Sequence, residues 1–196
     1  MSSAAVFDVL YLVQAAGYSD GLTPSELNTL DYLACLMSVY DGRTPAGWEH
    51  GYSVTDLGSP HSSAIQDAVD RCVRAGWIYR GPRVLTMSEA GRRELEFQRM
   101  LPPTTWRVRY LDAAVSASVT MTLPSIVDAL NYEPGLRRAM RFVRRQRLLD
   151  DASVDLLEAQ FDDLRAAIGG DVPRPTLVVP TAVWLSFLAS NPRFED

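Results

Sequence analysis

The sequence predicts a mainly α-helical fold that carries a small β-hairpin. Three observations support this prediction. Apolar residues recur at helical spacing along most of the chain, a capping box opens the second helix, and two short β-type segments flank a Gly-Pro turn. The 196 residues, of which 47% are hydrophobic, are enough for one large domain or two small ones with a buried core.

The first two helices are predicted from their apolar faces and their ends. Residues 4–16 form the first helix. The second opens with Thr23–Glu26, a Thr-Pro-Ser-Glu sequence in which the hydroxyl and the carboxylate can each bind a free backbone N–H. It continues to about Tyr40. The Gly- and Pro-rich stretch 41–60 predicts a long connection, with a short extended or helical piece near residues 52–57.

A helix, a hairpin and another helix are predicted next. Residues 61–75 form an amphipathic helix, and two β segments within residues 77–86 flank a Gly-Pro turn. Ser88 then caps a helix over residues 89–100. Pro102-Pro103 follows this helix and predicts a domain boundary.

The second half of the chain is predicted to be helical around one strand. Helices are predicted at 106–114, 124–130, 136–149 and 154–168. Strict alternation over Val115–Leu123 favours a strand at least at its end, although the small residues at its start also fit a helix. The tail contains an extended apolar piece at 176–180 and a last helical turn or two at 182–189. The predicted domains are 1–101, 102–170 and the proline-containing tail 171–196.

The stretch His61–Arg93 resembles the second half of a winged helix-turn-helix domain. Such domains run from a recognition helix into an Ala-Gly-x-Ile motif, here residues 75–78, then through a wing to a Leu-Thr motif that ends in Gly-Arg, here Leu85–Arg92. The pattern is similar in style to PadR- and MarR-like regulators. The resemblance implies a recognition helix and a wing. Two features depart from it: residues 41–60 are long for a tight helix-turn-helix, and the exposed helix face carries Asp67 and Asp70, which would repel phosphates.

A second stretch, Thr122–Asp150, is similar to another helix-turn-helix. It has a short helix, a turn and a longer helix that closes on Arg147-Leu-Leu-Asp150, with Arg147 where a glycine is usual. No wing follows it. The expected fold class is therefore mainly α with a small hairpin wing, a winged helix-turn-helix with a helical C-terminal region, and a tandem arrangement is left open.

Arginine is the residue on which a nucleic-acid function depends. The net charge of −5 does not point to nucleic acid, and all basic residues are arginine. Guanidinium groups in a row along the helix 136–149 can bind phosphates and the guanine edge. The predicted DNA-contacting residues are Arg137, Arg138, Arg141, Arg144 and Arg145 in this helix, Arg80 and Arg83 in the wing, and Ser62, Ser63 and Gln66 near the start of the recognition helix.

An alternative explanation for the arginine row is pairing with carboxylates. The next helix carries Asp155, Glu158, Asp162 and Asp163, which could pair with the arginines within the chain or across a dimer. An acidic protein partner is a third explanation. Under either of these two explanations, the helix makes no contact with DNA.

Catalytic, metal and cofactor motifs are not evident in the sequence. The histidines, His50 and His61, and the cysteines, Cys35 and Cys72, lack zinc spacing. No nucleophile elbow, phosphate-binding loop or dinucleotide fingerprint is present. Both cysteines lie among apolar residues and are expected to be buried free thiols, which suits a cytoplasmic protein without a membrane span. We therefore expect no catalytic residue, no metal and no cofactor.

Two functions follow from these observations. The first is a DNA-binding winged-helix protein, a transcriptional regulator that forms a homodimer. The second is a non-catalytic winged-helix scaffold subunit of a larger assembly, in the style of the tandem winged-helix subunits of chromosome-organising ATPases or of defence complexes. Such a subunit would bind protein partners through the connection 41–60 and the tail 171–196.

Overall fold

The computed structural model describes residues 3–15, 21–141, 147–169 and 176–190. Over these ranges the fold is mainly helical with two small antiparallel strand pairs, which confirms the coarse fold class. The helices are α1 (Ser3–Ala15), α2 (Pro24–Tyr40), α3 (Ser63–Arg74), α4 (Glu89–Arg99), α5 (Pro102–Thr105), α6 (Val108–Thr120), α7 (Leu123–Leu130), α8 (Pro134–Arg141), α9 (Asp151–Ile168) and α10 (Val178–Ser190). The strands are β1 (Ser53–Val54), β2 (Pro60–His61), β3 (Ile78–Arg80) and β4 (Leu85–Met87).

Helix α1 lies at the centre of the fold. Every residue from Ala4 to Val13 is buried, because α2, α3, α4 and α6 all pack around this helix. The apolar sequence of α1 suits that environment. Its one carboxylate, Asp8, is also buried, and a buried charge requires a partner.

Helix α2 begins where the capping box predicts. The Thr23 hydroxyl accepts a hydrogen bond from the Glu26 N–H (3.2 Å), and the Glu26 carboxylate accepts one from the Thr23 N–H (2.8 Å). Pro24 occupies the first helical position, where its missing N–H costs no hydrogen bond. The helix ends at Tyr40, as predicted.

The connection between α2 and α3 is folded onto the helices. It contains a 3-10 turn at Pro45–Trp48 and the antiparallel pair β1–β2, with Ser53 opposite His61. Strand β1 confirms the extended piece predicted near residues 52–57. Trp48 is fully buried, so this turn is part of the core.

The hairpin after α3 is confirmed. In the β3–β4 pair, Ile78 lies opposite Met87 and Arg80 lies opposite Leu85. Leu22, which precedes α2, joins this pair through two backbone hydrogen bonds with Leu85, of 2.7 and 3.3 Å. The chain between α1 and α2 therefore adds a one-residue third strand to the hairpin.

Of the two alternatives for residues 115–123, the strand is wrong and the helix is confirmed, because helix α6 continues to Thr120. Three alanines of α6, at 113, 114 and 117, are buried at helical spacing, and this helix packs on α2, α10 and α1. Val119 belongs to the alternating apolar set, yet its side chain is 82% exposed. The alternation reflects small residues that permit close helix packing rather than a strand with one buried face.

The hydrophobic core is continuous across the domain boundary predicted at Pro102-Pro103. Helix α6, after the boundary, packs against α2, before it, and Arg107 forms an ion pair with Asp8. The two prolines begin the short helix α5, where the first turn tolerates them. The prolines therefore mark a turn in the chain without a break in the core.

The helix predicted for residues 136–149 is not helical at its end. Residues 142–146 lie outside the described ranges, and Arg147 pairs as an isolated bridge with Ser53 of β1. The Leu148 N–H donates to a backbone carbonyl of the connection, at Tyr52 (2.8 Å), so this segment pairs with the connection. Half of the surface of Met140, an apolar residue of α8, is exposed.

The last two helices each begin earlier than predicted. Asp150 caps α9 by accepting a hydrogen bond from the Ser153 N–H (2.9 Å), so that helix begins at Asp151. The extended piece predicted at 176–180 is wrong, because α10 begins at Val178. Pro180 lies in the first turn of α10, where its missing N–H is tolerated.

No single helix among the described residues has both the length and the apolar composition needed to cross a membrane. Residues 102–120 and 123–130 meet that criterion only when they are taken together, and the chain bends by 113° between them.

Candidate nucleic-acid interface and buried charge network

The exposed face of α3 is joined to the hairpin by polar contacts. Asp70 of α3 accepts a hydrogen bond from the Gln66 amide (3.3 Å) and forms an ion pair with the Arg80 guanidinium of β3 (2.5 Å). Both charged side chains of this pair are about half exposed. The structure therefore brings together two of the predicted contact residues, Gln66 and Arg80, through a carboxylate that the sequence indicates only as repulsive.

The hairpin tip is fixed by local backbone contacts and is exposed. The Gly81 N–H donates to the Val84 carbonyl (2.9 Å), which closes the turn. Tyr79, Arg80 and Arg83 are all exposed around that turn. The hairpin tip is therefore a solvent-exposed surface that carries two arginines.

The two serines near the start of α3 have different environments. Ser63 is exposed at the first helical position. Ser62 is predicted to face outward, but it is only 1% exposed and its N–H donates to the Asn28 side chain of α2 (2.8 Å). That expectation is wrong, because β2 carries Ser62 into the interface with α2.

The described arginines of the predicted row lie on α8, a helix that packs against β1 and α9. Arg141 is exposed, and Arg137 and Arg138 are partly exposed. Arg138 lies 3.7 Å from the carboxylate of Asp150, the N-cap of α9. Arg144 and Arg145 lie outside the described residues.

The structure shows only part of the pairing between the arginine row and nearby carboxylates. Arg138 pairs with the helix cap Asp150 and not with the four carboxylates considered from the sequence. One of those four, Asp162, pairs with Arg165 of its own helix. The pKa of Asp150 is lowered by the hydrogen bond from Ser153 and, to a smaller extent, by the charge of Arg138.

A charge network not anticipated from the sequence lies inside the fold. Arg107, just before α6, donates from Nε to Asp8 Oδ1 (2.7 Å) and from Nη2 to Asp8 Oδ2. Its Nη1 donates to the Trp48 carbonyl (3.1 Å), and its guanidinium carbon lies 3.7 Å from the centre of the Trp48 ring. Both members of this ion pair are fully buried.

A second pair lies beside the first. Asp31 Oδ2 accepts a hydrogen bond from the Tyr52 hydroxyl (2.7 Å) and lies 2.8 Å from His50 Nε2. The same His50 nitrogen is 4.0 Å from Asp8 Oδ2, so His50 connects the two pairs. The network thereby joins α1, α2, the connection and the start of α6.

The ionisation of these groups is set by burial and by their neighbours. Burial raises the pKa of Asp8 to about 7, against the opposing effect of Arg107. Burial also acts to raise the pKa of Asp31, but the charge and hydrogen bond of His50 outweigh it, and the pKa is lowered. Burial acts to lower the pKa of His50, but Asp31 outweighs it, and the pKa is raised. The Asp31–His50 pair is therefore favoured in its charged form.

Asp8, Asp31 and His50 offer three potential metal ligands within 4.8 Å of one another. Their hydrogen bonds argue against that role. Arg107 already binds both oxygens of Asp8, and Asp31 already binds His50 Nε2. Two carboxylates with an arginine and a histidine form a set that balances its own charge, so we assign this cluster as a charge network.

One sequence signal could have revealed the network. Asp8 is a single carboxylate in an otherwise apolar helix, and such a residue predicts a buried partner. The identity of the partner carries no local signal, because Arg107 is 99 residues away. Cys35 and Cys72, by contrast, are buried free thiols as predicted.

Comparisons of the chain with protein-family models, with curated proteins and with solved structures found no match.

Proposed function

We propose that this chain is a DNA-binding protein with a winged helix-turn-helix unit, and that it acts as a transcriptional regulator. The observation that carries the proposal is the contact series Gln66–Asp70–Arg80, which joins the exposed face of α3 to the exposed hairpin. In this arrangement α3 enters the major groove and the hairpin lies on the adjacent backbone.

The order of the elements supports the proposal. Helix α1, the Leu22 bridge, α2, α3 and the β3–β4 hairpin follow one another in the order expected for a winged helix-turn-helix, and the bridge ties the first connection to the hairpin. The additional β1–β2 pair accounts for the length of the connection before α3.

The Asp70–Arg80 ion pair weakens one objection to DNA binding, which is that Asp70 would repel phosphate. Asp70 would repel phosphate if it stood alone, but the Arg80 guanidinium lies 2.5 Å away and offsets its charge. Arg83 at the hairpin tip and Arg141 of α8 are both exposed. Asp67 is the remaining exposed carboxylate on this helix face.

Binding of the full chain to a labelled random duplex over a salt series tests the proposal. Loss of about two phosphate contacts in the double variant Arg80→Ala/Arg83→Ala should flatten the slope of log K against log salt by about 2. The matched control is Arg109→Ala/Arg165→Ala, which removes two surface arginines from α6 and α9. An equal effect of the two double variants, or no binding at low salt, would refute the proposal.

A single substitution at Asp70 should raise the affinity for DNA, whereas the arginine variants should lower it. Asp70→Asn removes the carboxylate that holds Arg80, so it should increase affinity for the duplex, because Arg80 is released and one repulsive charge is lost. A decrease in affinity, with the fold intact by circular dichroism, would mean that the ion pair positions Arg80 and that its release does not favour binding.

The second candidate function is a non-catalytic scaffold subunit that binds protein partners. It is favoured by a row of three half-exposed apolar side chains on α10, at Val179, Val183 and Phe187, which share one helix face. The duplex experiment separates the two functions, because a scaffold without DNA contacts gives no salt-dependent binding. Light scattering of Val183→Glu beside the wild type tests whether this face also forms the expected homodimer.

A further inference from the structure

The two aspartates on the exposed face of α3 differ in their contacts. Asp70 accepts a hydrogen bond from Gln66 and forms an ion pair with Arg80, so partners within the chain hold its carboxylate. Asp67 lies three residues earlier and is exposed, and its carboxylate has no hydrogen bond or ion pair among the described residues. The carboxylate of Asp67 therefore remains available to a ligand that binds this face.

Asp67 lies in the part of α3 that a helix-turn-helix directs at the bases. Ser62 is the N-cap of α3, and Asp67 follows within the N-terminal half of the helix, where recognition helices contact base edges. Ser63 and Arg71 are four residues before and after Asp67, so the three share one exposed face. Arg71, like Asp67, forms no ion pair within the part of the chain that the structure describes.

The chemistry of a carboxylate restricts the base edge that Asp67 can contact. An ionised carboxylate only accepts hydrogen bonds, so it requires an amino group and is repelled by other acceptors. In the major groove guanine presents two acceptors, thymine presents an acceptor and a methyl group, and adenine presents an acceptor beside its amino group. Cytosine presents an amino donor and no acceptor. Cytosine is therefore the base that suits Asp67 best.

Arg71 has the complementary preference. A guanidinium only donates hydrogen bonds, and it can bind the N7 and O6 acceptors of guanine together. The helical rise separates residues 67 and 71 by about 6 Å along the axis, which corresponds to about two steps of stacked bases at about 3.4 Å each. A carboxylate and a guanidinium at this spacing therefore match a site in which G·C pairs lie within about two steps of each other.

We propose that Asp67 determines the sequence specificity of α3 by selecting cytosine in the major groove, and that Arg71 selects a nearby guanine. This inference rests on the proposed DNA-binding function and names the class of DNA site, which contains G·C pairs. The charge of Asp67 then has two effects. It accepts from the cytosine amino group, and it repels phosphates and every base edge that lacks a donor, which weakens binding to other sequences.

Selection of duplexes from a randomised pool by the full chain, followed by affinity measurements at one fixed salt concentration, tests the inference. The wild type should select a site with a required cytosine, and a change of that base should weaken binding about tenfold. Asp67→Ala should lose this preference and Arg71→Ala should lose a guanine preference in the same site. Asp67→Asn should transfer the preference from cytosine to adenine, because an amide can donate to N7 of adenine and accept from its amino group.

The matched control is Asp163→Asn, which removes an exposed carboxylate of α9 by the same substitution and should keep the cytosine preference. A carboxylate that only repels phosphate predicts a different result, in which Asp67→Ala binds every duplex more tightly by the same factor and keeps the preference. That result overturns the inference, as does a wild-type site without a required cytosine. Absence of salt-dependent binding by the wild type refutes the DNA-binding function and the inference together, whereas normal binding with an unchanged preference in Asp67→Ala refutes only the role of Asp67.

Discussion

Removal of the Arg107 guanidinium should strongly destabilise the fold. The substitution Arg107→Met keeps most of the apolar stem and deletes three hydrogen bonds, two to Asp8 and one to the Trp48 carbonyl. It leaves Asp8 fully buried, with His50 Nε2 at 4.0 Å as the closest remaining basic group. Loss of one member of a buried pair costs about 3–5 kcal/mol, because the other charge is left uncompensated.

A double variant tests whether the loss comes from the unpaired charge. Asp8→Val/Arg107→Met removes both charges and leaves the Asp31–His50 pair in place. We expect its loss of unfolding free energy to be about 2 kcal/mol smaller than the summed losses of the two single variants. Neither charge is left unpaired in the double variant.

Urea unfolding, followed by circular dichroism and tryptophan fluorescence, measures these free energies. Coincident transitions from the two probes justify a two-state treatment. The matched control is Arg92→Met, which breaks the exposed Arg92–Glu89 pair and should cost about 0–1 kcal/mol. A loss below about 1 kcal/mol for Arg107→Met, or simple additivity in the double variant, would refute the assignment of a tightly coupled buried pair.

Two further predictions concern pH and packing. The pKa values of His50 and Asp8 are raised in the folded state. The contributions of these groups to the free energy of unfolding are therefore fully present below the unfolded pKa values. They are lost as pH rises through the folded pKa values, about 7 for Asp8. The free energy of unfolding should therefore fall as pH rises from about 6 through the folded pKa of Asp8 at about 7, less steeply in His50→Gln, and a rise in the wild type would contradict this. Gly91→Ala should cost about 1–3 kcal/mol, because the new methyl would overlap the Trp77 carbonyl and lie 2.5 Å from Met87 Sδ; an unchanged urea midpoint would refute that packing.

The parts of the fold that could be predicted from the sequence are those with local causes. The capping box at Thr23 fixes the start of α2 because both of its hydrogen bonds span three residues. Ser88 caps α4 in the same way, by accepting from the Gly91 N–H (3.0 Å). The hairpin between these helices follows from a turn sequence between two short β segments. Each of these signals lies within a few residues of the element that it specifies.

The parts that could not be predicted depend on contacts between distant residues. Residues 115–123 alternate like a strand, and only the packing of α6 on α2 shows which of them are buried. Glu133 looks like a turn residue, but its buried carboxylate accepts from the Tyr32 hydroxyl, 101 residues away, and from the N–H groups of Gly135 and Leu136. The charge network is of the same kind, because it joins the connection to Arg107, beyond position 100.

Burial also changes what the net charge of −5 implies for DNA. Asp8 and Asp31 are fully buried and are balanced by Arg107 and His50, which are buried beside them, so this group of four contributes little to the potential at the surface. The segment 63–83, which comprises α3 and the hairpin tip, contains four arginines and two aspartates, a local excess of two positive charges. Screening at physiological salt confines electrostatic interactions to about 8 Å, so a phosphate at α3 responds to this local excess more than to the carboxylates of α9. An acidic chain with this distribution of charge is therefore compatible with a DNA-binding surface on α3, and the Arg80→Ala/Arg83→Ala salt series measures whether DNA binds there.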